Sequence, residues 1–529
     1  MAAWVKNFLI IFVMIGVIPV AASGQFQQRS LHIGVMSDLF IGNPTGFDPN
    51  DPAWDEFERK LDQIKQQGYR SIPVDVWWGV VQKDRLKDFE WDHYDHAIKL
   101  ILSRGFKLEF YLSTHSCGGN VGDTVDIPLP LEIRELLPTL AKGKDARYRS
   151  EGGNISNEVV SHWAVPYILP YYINFWKAFK ERYAHLAPET TLIVPSLGSA
   201  GELTDPTYHS HDRNLISIRE GKFIARYPHR GALQASSPLA REHFYKWLEK
   251  KWGSLEGVNR AWHTNYNSFQ DIDFFTDTNK FSRFLDSNGG YGEFSPAGQD
   301  LFGWNHLSLM DSGLLVMDAF VDVFGGEDSA FKNVPIGHKT PGIHWSASRR
   351  LAMLMAGQLS TSGAPLAVPP GSRLRDRYPA SWLKENGLGL SSLFENFILP
   401  LRRAHPKSHF VAIYTCAEQA NCLRHNQFGP GFDVGDGDTS DFISYALTEA
   451  FINLGRRFGV TMGLENSLGG YLRNPWMVAR LVEFASIPEV EYLSLLRMND
   501  VVDNEVLDSG LKDLRAKRCR EFLAPAASQ

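Results

Sequence analysis

The 529-residue chain is poor in cysteine, with four in all and no two in a CxxC spacing. That excludes a zinc site of the paired-cysteine kind, and the positions of Cys117, Cys416, Cys422 and Cys519 assign no disulfide. There is no basic block: 54 Lys and Arg stand against 60 Asp and Glu, a net charge of −6. A weakly acidic chain of this kind makes a poor nucleic-acid binder. Beyond residue 22 no apolar run reaches the ~20 residues of a membrane span. No GxGxxG follows the first strand-like run, so a dinucleotide fold has little support. No GK[ST], HExxH or GxSxG occurs, which removes the phosphate loop, the zinc-protease helix and the serine nucleophile elbow. Internal repeats, low-complexity tracts and interdomain linkers are also missing.

What is present is ordinary globular material, 43% hydrophobic and 22% charged. Aromatic residues make up 12% of the chain. They furnish a large core, or stacking faces for flat, partly apolar ligands such as sugar rings. Lys6, the apolar run 8–22 and the small residues Ala21, Ala22, Ser23 and Gly24 have the order of a secretory signal peptide over residues 1–24. An uncleaved anchor is the alternative. The expected mature protein is exported, to the periplasm or the medium, with no stable membrane association.

Eight short runs rich in β-branched residues end abruptly in polar or Gly residues. They are 32–36, 71–77, 107–114, 191–197, 334–339, 410–415, 460–464 and 492–497. Buried parallel strands have this look. Between them lie stretches with apolar spacing of three and four: 52–67, closed by Gly68; 92–104, closed by Gly105; and 440–458, closed by Gly459. Strand and helix alternating eight times predict an α/β fold, a (β/α)8 TIM barrel, over 25–510, with 511–529 as a C-terminal tail. Long connections follow the third and fourth strands. They hold helices of their own, for example over 238–262 and 300–324, and are expected to form a lobe over the barrel mouth.

Polar residues collect at the strand ends: Asp75, His115, Glu202, Lys339 with His344 close behind, Thr415, Glu465 and Arg497. In a TIM barrel the C-terminal ends of the strands are where catalytic groups converge. Glu202 and Glu465 could form the acid and base pair of glycoside hydrolysis. Asp75, His115, Lys339 and Arg497 could bond sugar hydroxyls, and Trp77, Trp78 and Trp345 could stack on rings. The segment 117–123, CGGNVGD, has three glycines and reads as a lid carrying Asp123 or as a static turn. His115 and His344 lack the companions of a metal site.

The segments VDVWWG, HSCGGNVGD, GSAGEL, KTPGIHW, YTCAE, GLENSL and YLSLLRMND together resemble the β-amylases, the family-14 glycoside hydrolases. They span about residues 32 to 505 in the family's order and are closer to the bacterial members in organisation. The resemblance implies a TIM barrel that removes maltose from the non-reducing ends of α-1,4-glucans with inversion. It implies Glu202 as general acid and Glu465 as general base. It implies substrate contacts from Asp75, His115, Asp123, Lys339, His344, Thr415, Asn466, Ser467 and Arg497, with Asp123 on the lid and Thr415 on a mobile inner loop. No cofactor or metal is expected, the partner is the glucan itself, and the chain is expected to be a monomer.

The sequence departs from the family in several places. Leu464 stands where Gly usually precedes the base, Ser467 where Ala follows it, and Thr204 where Arg is common. Gln82 replaces an acid of the calcium site found in some bacterial members, and a counterpart of their C-terminal starch-binding domain is not expected. Two rival readings remain: a glucan-binding protein of this fold with weak catalysis, and a retaining barrel glycosidase acting on another sugar.

Overall fold

The computed structural model describes residues 30–518 apart from 44–45, 84–87, 119–124, 207–215, 220–221, 226–232, 291, 293–294, 343–389, 420–439 and 468. The expected signal segment 1–24, Asp123, His344 and Trp345 therefore lie outside the described residues, as does most of the glycine-rich segment 117–123.

Eight parallel strands close into a barrel in sequence order. They are β1 (His32–Val35), β2 (Ser71–Trp77), β3 (Lys107–Ser113), β4 (Thr190–Pro195), β5 (Ile336–Thr340), β6 (Phe410–Tyr414), β7 (Thr461–Glu465) and β8 (Val490–Leu495). Closure comes from β1 pairing with β8, His32 opposite Tyr492 through Val35 opposite Leu495. All eight expected strands form, within about two residues at each end. The runs are continuous in apolar residues because both faces are covered. Met36, Tyr111, Leu192, Val194, Val411, Ile413 and Tyr492 pack together as one cluster inside the barrel. The opposite faces join the large core shared with the surrounding helices.

A helical segment follows each strand. The first, Ala53–Gln66, buries Trp54, Phe57, Leu61 and Ile64. That is one stripe at helical spacing, each side chain adding about 1.5–3 kcal/mol by burial. The last, Glu505–Arg518, continues past residue 510 and carries Leu507, Leu511 and Leu514 into the core.

The insertions after β3 and β4 hold the added elements. The sequence reading places one helix over 238–262. The structure instead has two, Pro238–Trp252 and Leu255–Trp262. The break lies at Gly253, whose φ of +80° suits glycine, followed by Ser254, whose hydroxyl accepts from the Gly257 amide at 3.3 Å. A left-handed stop followed by a serine cap ends one helix and begins the next. The expected 300–324 helix runs over Pro296–Phe324, with Ser295 as its cap. The two insertions are tied together: the Ser236 amide donates to the Arg149 carbonyl at 3.0 Å, and the Leu233 amide to the Glu151 carboxylate at 2.8 Å.

Candidate active site

The C-terminal ends of the strands bring together, from seven of the eight strands, the side chains picked out by sequence. Asp75 lies on β2, His115 two residues past β3, Glu202 on the turn after β4, and Lys339 on β5. Thr415 directly follows β6, Glu465 ends β7, and Arg497 lies two residues past β8.

Glu202 is positioned by a tight turn. Ala200 has φ +52° and Gly201 φ +77°, so the chain reverses within Ser199–Gly201. Gly198 is required by proximity, since a Cβ there would sit 2.5 Å from the Thr204 carbonyl and 2.6 Å from that of Glu202. After the reversal, Glu202 forms a β-bridge with Lys339, and the Leu203 amide donates to the Lys339 carbonyl at 3.0 Å. Glu202 thus stands at a fixed height beside β5.

Its carboxyl is buried, 5% exposed, and Oε2 has no hydrogen-bond partner among the described residues. Burial pushes its pKa up to about 8, against a lowering by a hydrogen bond from Thr415 and by the Lys339 ammonium. The charges of Glu465 and Glu158 raise it further. The group is therefore protonated at neutral pH.

Glu465 has a different environment. Lys339 Nζ lies 2.9 Å from its Oε1 and 2.8 Å from its Oε2, a buried ion pair. The ammonium also sits 4.7 Å above the Tyr111 ring. Tyr111 in turn shares a 3.0 Å hydrogen bond with Ser494. One carboxyl is thus held as the neutral acid and the other as the partner of a cation.

The remaining groups frame this pair. Arg497 Nη1 donates to Asp75 Oδ2 at 3.0 Å. Asn466 grips the segment leading to Arg497, accepting from the Leu496 amide at 2.7 Å and donating to its carbonyl at 3.1 Å. His115 shares a 2.6 Å hydrogen bond with Ser196. Burial, with Lys339 and Arg497 nearby, lowers its pKa to about 3, so the ring is neutral. The Thr415 hydroxyl accepts from the Gly342 amide at 3.0 Å.

Two of the expected stacking residues are built into the wall instead. Trp78 is 1% exposed, packs on Tyr172 and Phe175, and donates to Gln82 Oε1 at 2.5 Å. Trp77 is 3% exposed, donates to the Leu39 carbonyl at 2.9 Å and lies edge-on to His115. Both face packed protein because β2 is covered on both sides and the helix at Trp78–Val81 turns directly off it.

Several contributors escaped the sequence reading. Glu418, fully buried, accepts from the Ser467 amide at 2.8 Å and its hydroxyl at 2.5 Å. Its only signal was its place in YTCAE. Glu158 accepts from Ser199 Oγ at 2.6 Å and the Ala200 amide at 2.9 Å, with no motif to mark it. Glu109, inside the barrel on β3, is pushed up to about 7 by burial, against a lowering by its hydrogen bond from Ser71.

The model of the family described as glycosyl hydrolase family 14 matches residues 52–363. The thermophilic beta-amylase of Thermoanaerobacterium thermosulfurigenes is 32% identical over 290 residues, 55% of this chain and 48% of that protein. A beta-amylase of Bacillus cereus is 30% identical over 517 residues, 96% of this chain and 79% of that protein. The chain thus spans about half the length of the first relative and most of the second. The crystal structure of the catalytic domain of a beta-amylase from Paenibacillus polymyxa superposes with a TM-score of 0.65 at 23% identity, covering 94% of this chain and 99% of that one, a likeness of fold. With a family match across more than half its length and a relative aligned almost end to end, the chain belongs to glycosyl hydrolase family 14.

Proposed function

We propose that the protein hydrolyses α-1,4-glucosidic bonds of starch, glycogen and malto-oligosaccharides from their non-reducing ends, releasing β-maltose. The observation that carries this reading is the contrast between the two glutamates: Glu202 buried and neutral, Glu465 paired with Lys339. In a single displacement, Glu202 donates its proton to the glycosidic oxygen as that bond breaks. Glu465 takes a proton from a water that attacks the anomeric carbon from the opposite face. The new hydroxyl is then β, and Glu202 is left ionised and Glu465 protonated until solvent resets both. Room for that water calls for carboxyls ~6.5–9.5 Å apart, against ~5 Å for retention.

Asp75, His115, Lys339, Thr415, Asn466, Ser467 and Arg497 are proposed to border the bound glucan, with Asp123 and His344 completing it. The relatives' names as beta-amylases support the substrate class. The segment 1–24 is proposed as a cleaved export signal of a monomeric protein, which N-terminal sequencing of the exported product and its sedimentation would check.

The decisive experiment is digestion of maltoheptaose, with products and anomer followed by NMR. β-Maltose as the first product is expected, whereas α-maltose or random-length products overturn the reading. Glucan binding without reducing-sugar release points instead to the weakly catalytic rival. Glu202→Gln and Glu465→Gln should each lower turnover by about 10²–10⁴-fold with folding intact.

A further inference from the structure

Glu158 lies on a short hairpin strand, Ile155–Val160, in the insertion after β3, 44 residues before Glu202 in sequence and outside every motif that marks the site. Its carboxylate nonetheless grips the turn that carries Glu202. Oε1 accepts from Ser199 Oγ at 2.6 Å and from the Ala200 amide at 2.9 Å. Ala200 is the residue in that turn that most needs holding, because φ +52° is a left-handed conformation that a side chain disfavours. The Glu158 carbonyl also accepts from the Ser116 amide at 2.7 Å. One residue therefore spans the loop after β3, next to His115, and the loop after β4. Its side chain is 7% exposed as a residue, so the contact is sheltered from solvent.

We infer that Glu158 is the positioning residue for the general acid, holding the Ser199–Gly201 turn in the conformation that presents Glu202 and setting a negative charge behind it. The inference rests on the reading of Glu202 as the acid. Around Glu202 the described charged and titratable groups come from several elements. Lys339 arrives from β5 and Glu465 from β7. Glu158 comes from the insertion, while the His115 ring faces the Gly201 side of the turn and Asp205 follows three residues on. Glu158 and Glu465 oppose ionisation of Glu202, whereas Lys339 and the Thr415 hydroxyl favour it. Glu158 therefore has two separable effects. As an acceptor it holds the turn, and as an anion it keeps the acid's proton bound to higher pH.

Two variants of the full chain separate these effects, with maltoheptaose as substrate. Glu158→Gln keeps an acceptor oxygen for Ser199 and Ala200 but removes the charge. It should hold kcat within about tenfold and move the alkaline limb of the kcat/KM profile to lower pH by about half a unit or more. Glu158→Ala removes both effects. It should lower kcat by on the order of 10²-fold while KM changes by less than about threefold, because the sugar contacts at Asp75 and Arg497 are untouched. An alkaline limb that stays in place in Glu158→Gln, or a folded Glu158→Ala with wild-type kcat, overturns the inference. If Glu158→Ala does not fold, the limb position in Glu158→Gln decides alone. A wild-type chain that fails to hydrolyse maltoheptaose overturns the proposed function instead, so the two failures are distinguishable.

Discussion

Lys339 joins the two candidate carboxyls through different parts of itself. Its main chain pairs with Glu202, and its ammonium lies 2.9 and 2.8 Å from the oxygens of Glu465. Strand β5 thus sets the relative position of the two carboxyls, and the Tyr111 ring at 4.7 Å supports the ammonium. Lys339→Met leaves a buried carboxylate without its cation. The expected cost is about 3–5 kcal/mol in stability, read by denaturant unfolding, with at least about 10²-fold loss of kcat. A variant with wild-type stability and turnover would show the pair to be incidental.

The raised pKa of Glu202 has a stability consequence of definite sign. The unfolded chain titrates this group near its ordinary value of 4.5, the folded chain near 8. Between those values the folded state holds a proton the unfolded state has lost, so stability falls as pH rises across the window. Glu202→Gln has no proton to hold. Its melting temperature should therefore gain on the wild type steadily from about pH 5 to about pH 8, then run parallel above. Thermal unfolding at several pH values measures the difference. Glu109, whose pKa is also raised, is common to both proteins and cancels.

Thr415 works on the same acid in the opposite direction from Glu158. Its hydroxyl lowers the pKa of the Glu202 carboxyl and so favours the ionised form. Thr415→Val removes that hydroxyl, so the alkaline limb of kcat/KM should move to higher pH, with kcat lowered by about tenfold. A limb that moves down would mean that the Thr415 hydroxyl favours the neutral carboxyl instead. The Gly342 amide, which donates to the same hydroxyl at 3.0 Å, would be left to rearrange.

The barrel was legible because each strand is buried on both faces and reads as an unbroken apolar run with a polar end. Ser71–Trp77 came out with both bounds as expected, and Glu465 and Lys339 stood at strand ends where the chain must expose its chemistry. The insertions were less legible because their elements are amphipathic and interrupted: helical spacing continues across Gly253–Ser254, and only the backbone, with Gly253 at φ +80°, marks the break. Trp78 shows the limit for single residues. A tryptophan beside a catalytic strand has the same letters whether it faces sugar or core, and here Tyr172 and Phe175 cover it. Glu158 had no motif and Glu418 only its place in YTCAE, for a different reason. Each acts by accepting from backbone amides far away in sequence, Ala200 and Ser467, and an amide leaves no mark in the residue pattern.

Ser467, one of the departures from the family pattern, is accommodated by Glu418. That buried carboxylate accepts both the Ser467 amide at 2.8 Å and its hydroxyl at 2.5 Å, anchoring the segment directly after Glu465 to the segment directly after Thr415. Ser467→Ala deletes the hydroxyl but leaves the amide in place, so the anchor persists. The expected change is within about 1 kcal/mol in stability and a few-fold in kcat. Glu418→Ala instead removes the carboxylate that accepts from the Ser467 amide and loosens the tie between the two segments. It should cost about 1–3 kcal/mol and lower kcat far more than it raises KM, because Glu465, the proposed base, is misplaced while the Asp75–Arg497 pair is not. Comparing the two variants on maltoheptaose isolates the anchoring amide. Equal losses in both would place the effect in the serine hydroxyl, and no loss in Glu418→Ala would remove Glu418 from the groups that orient Glu465.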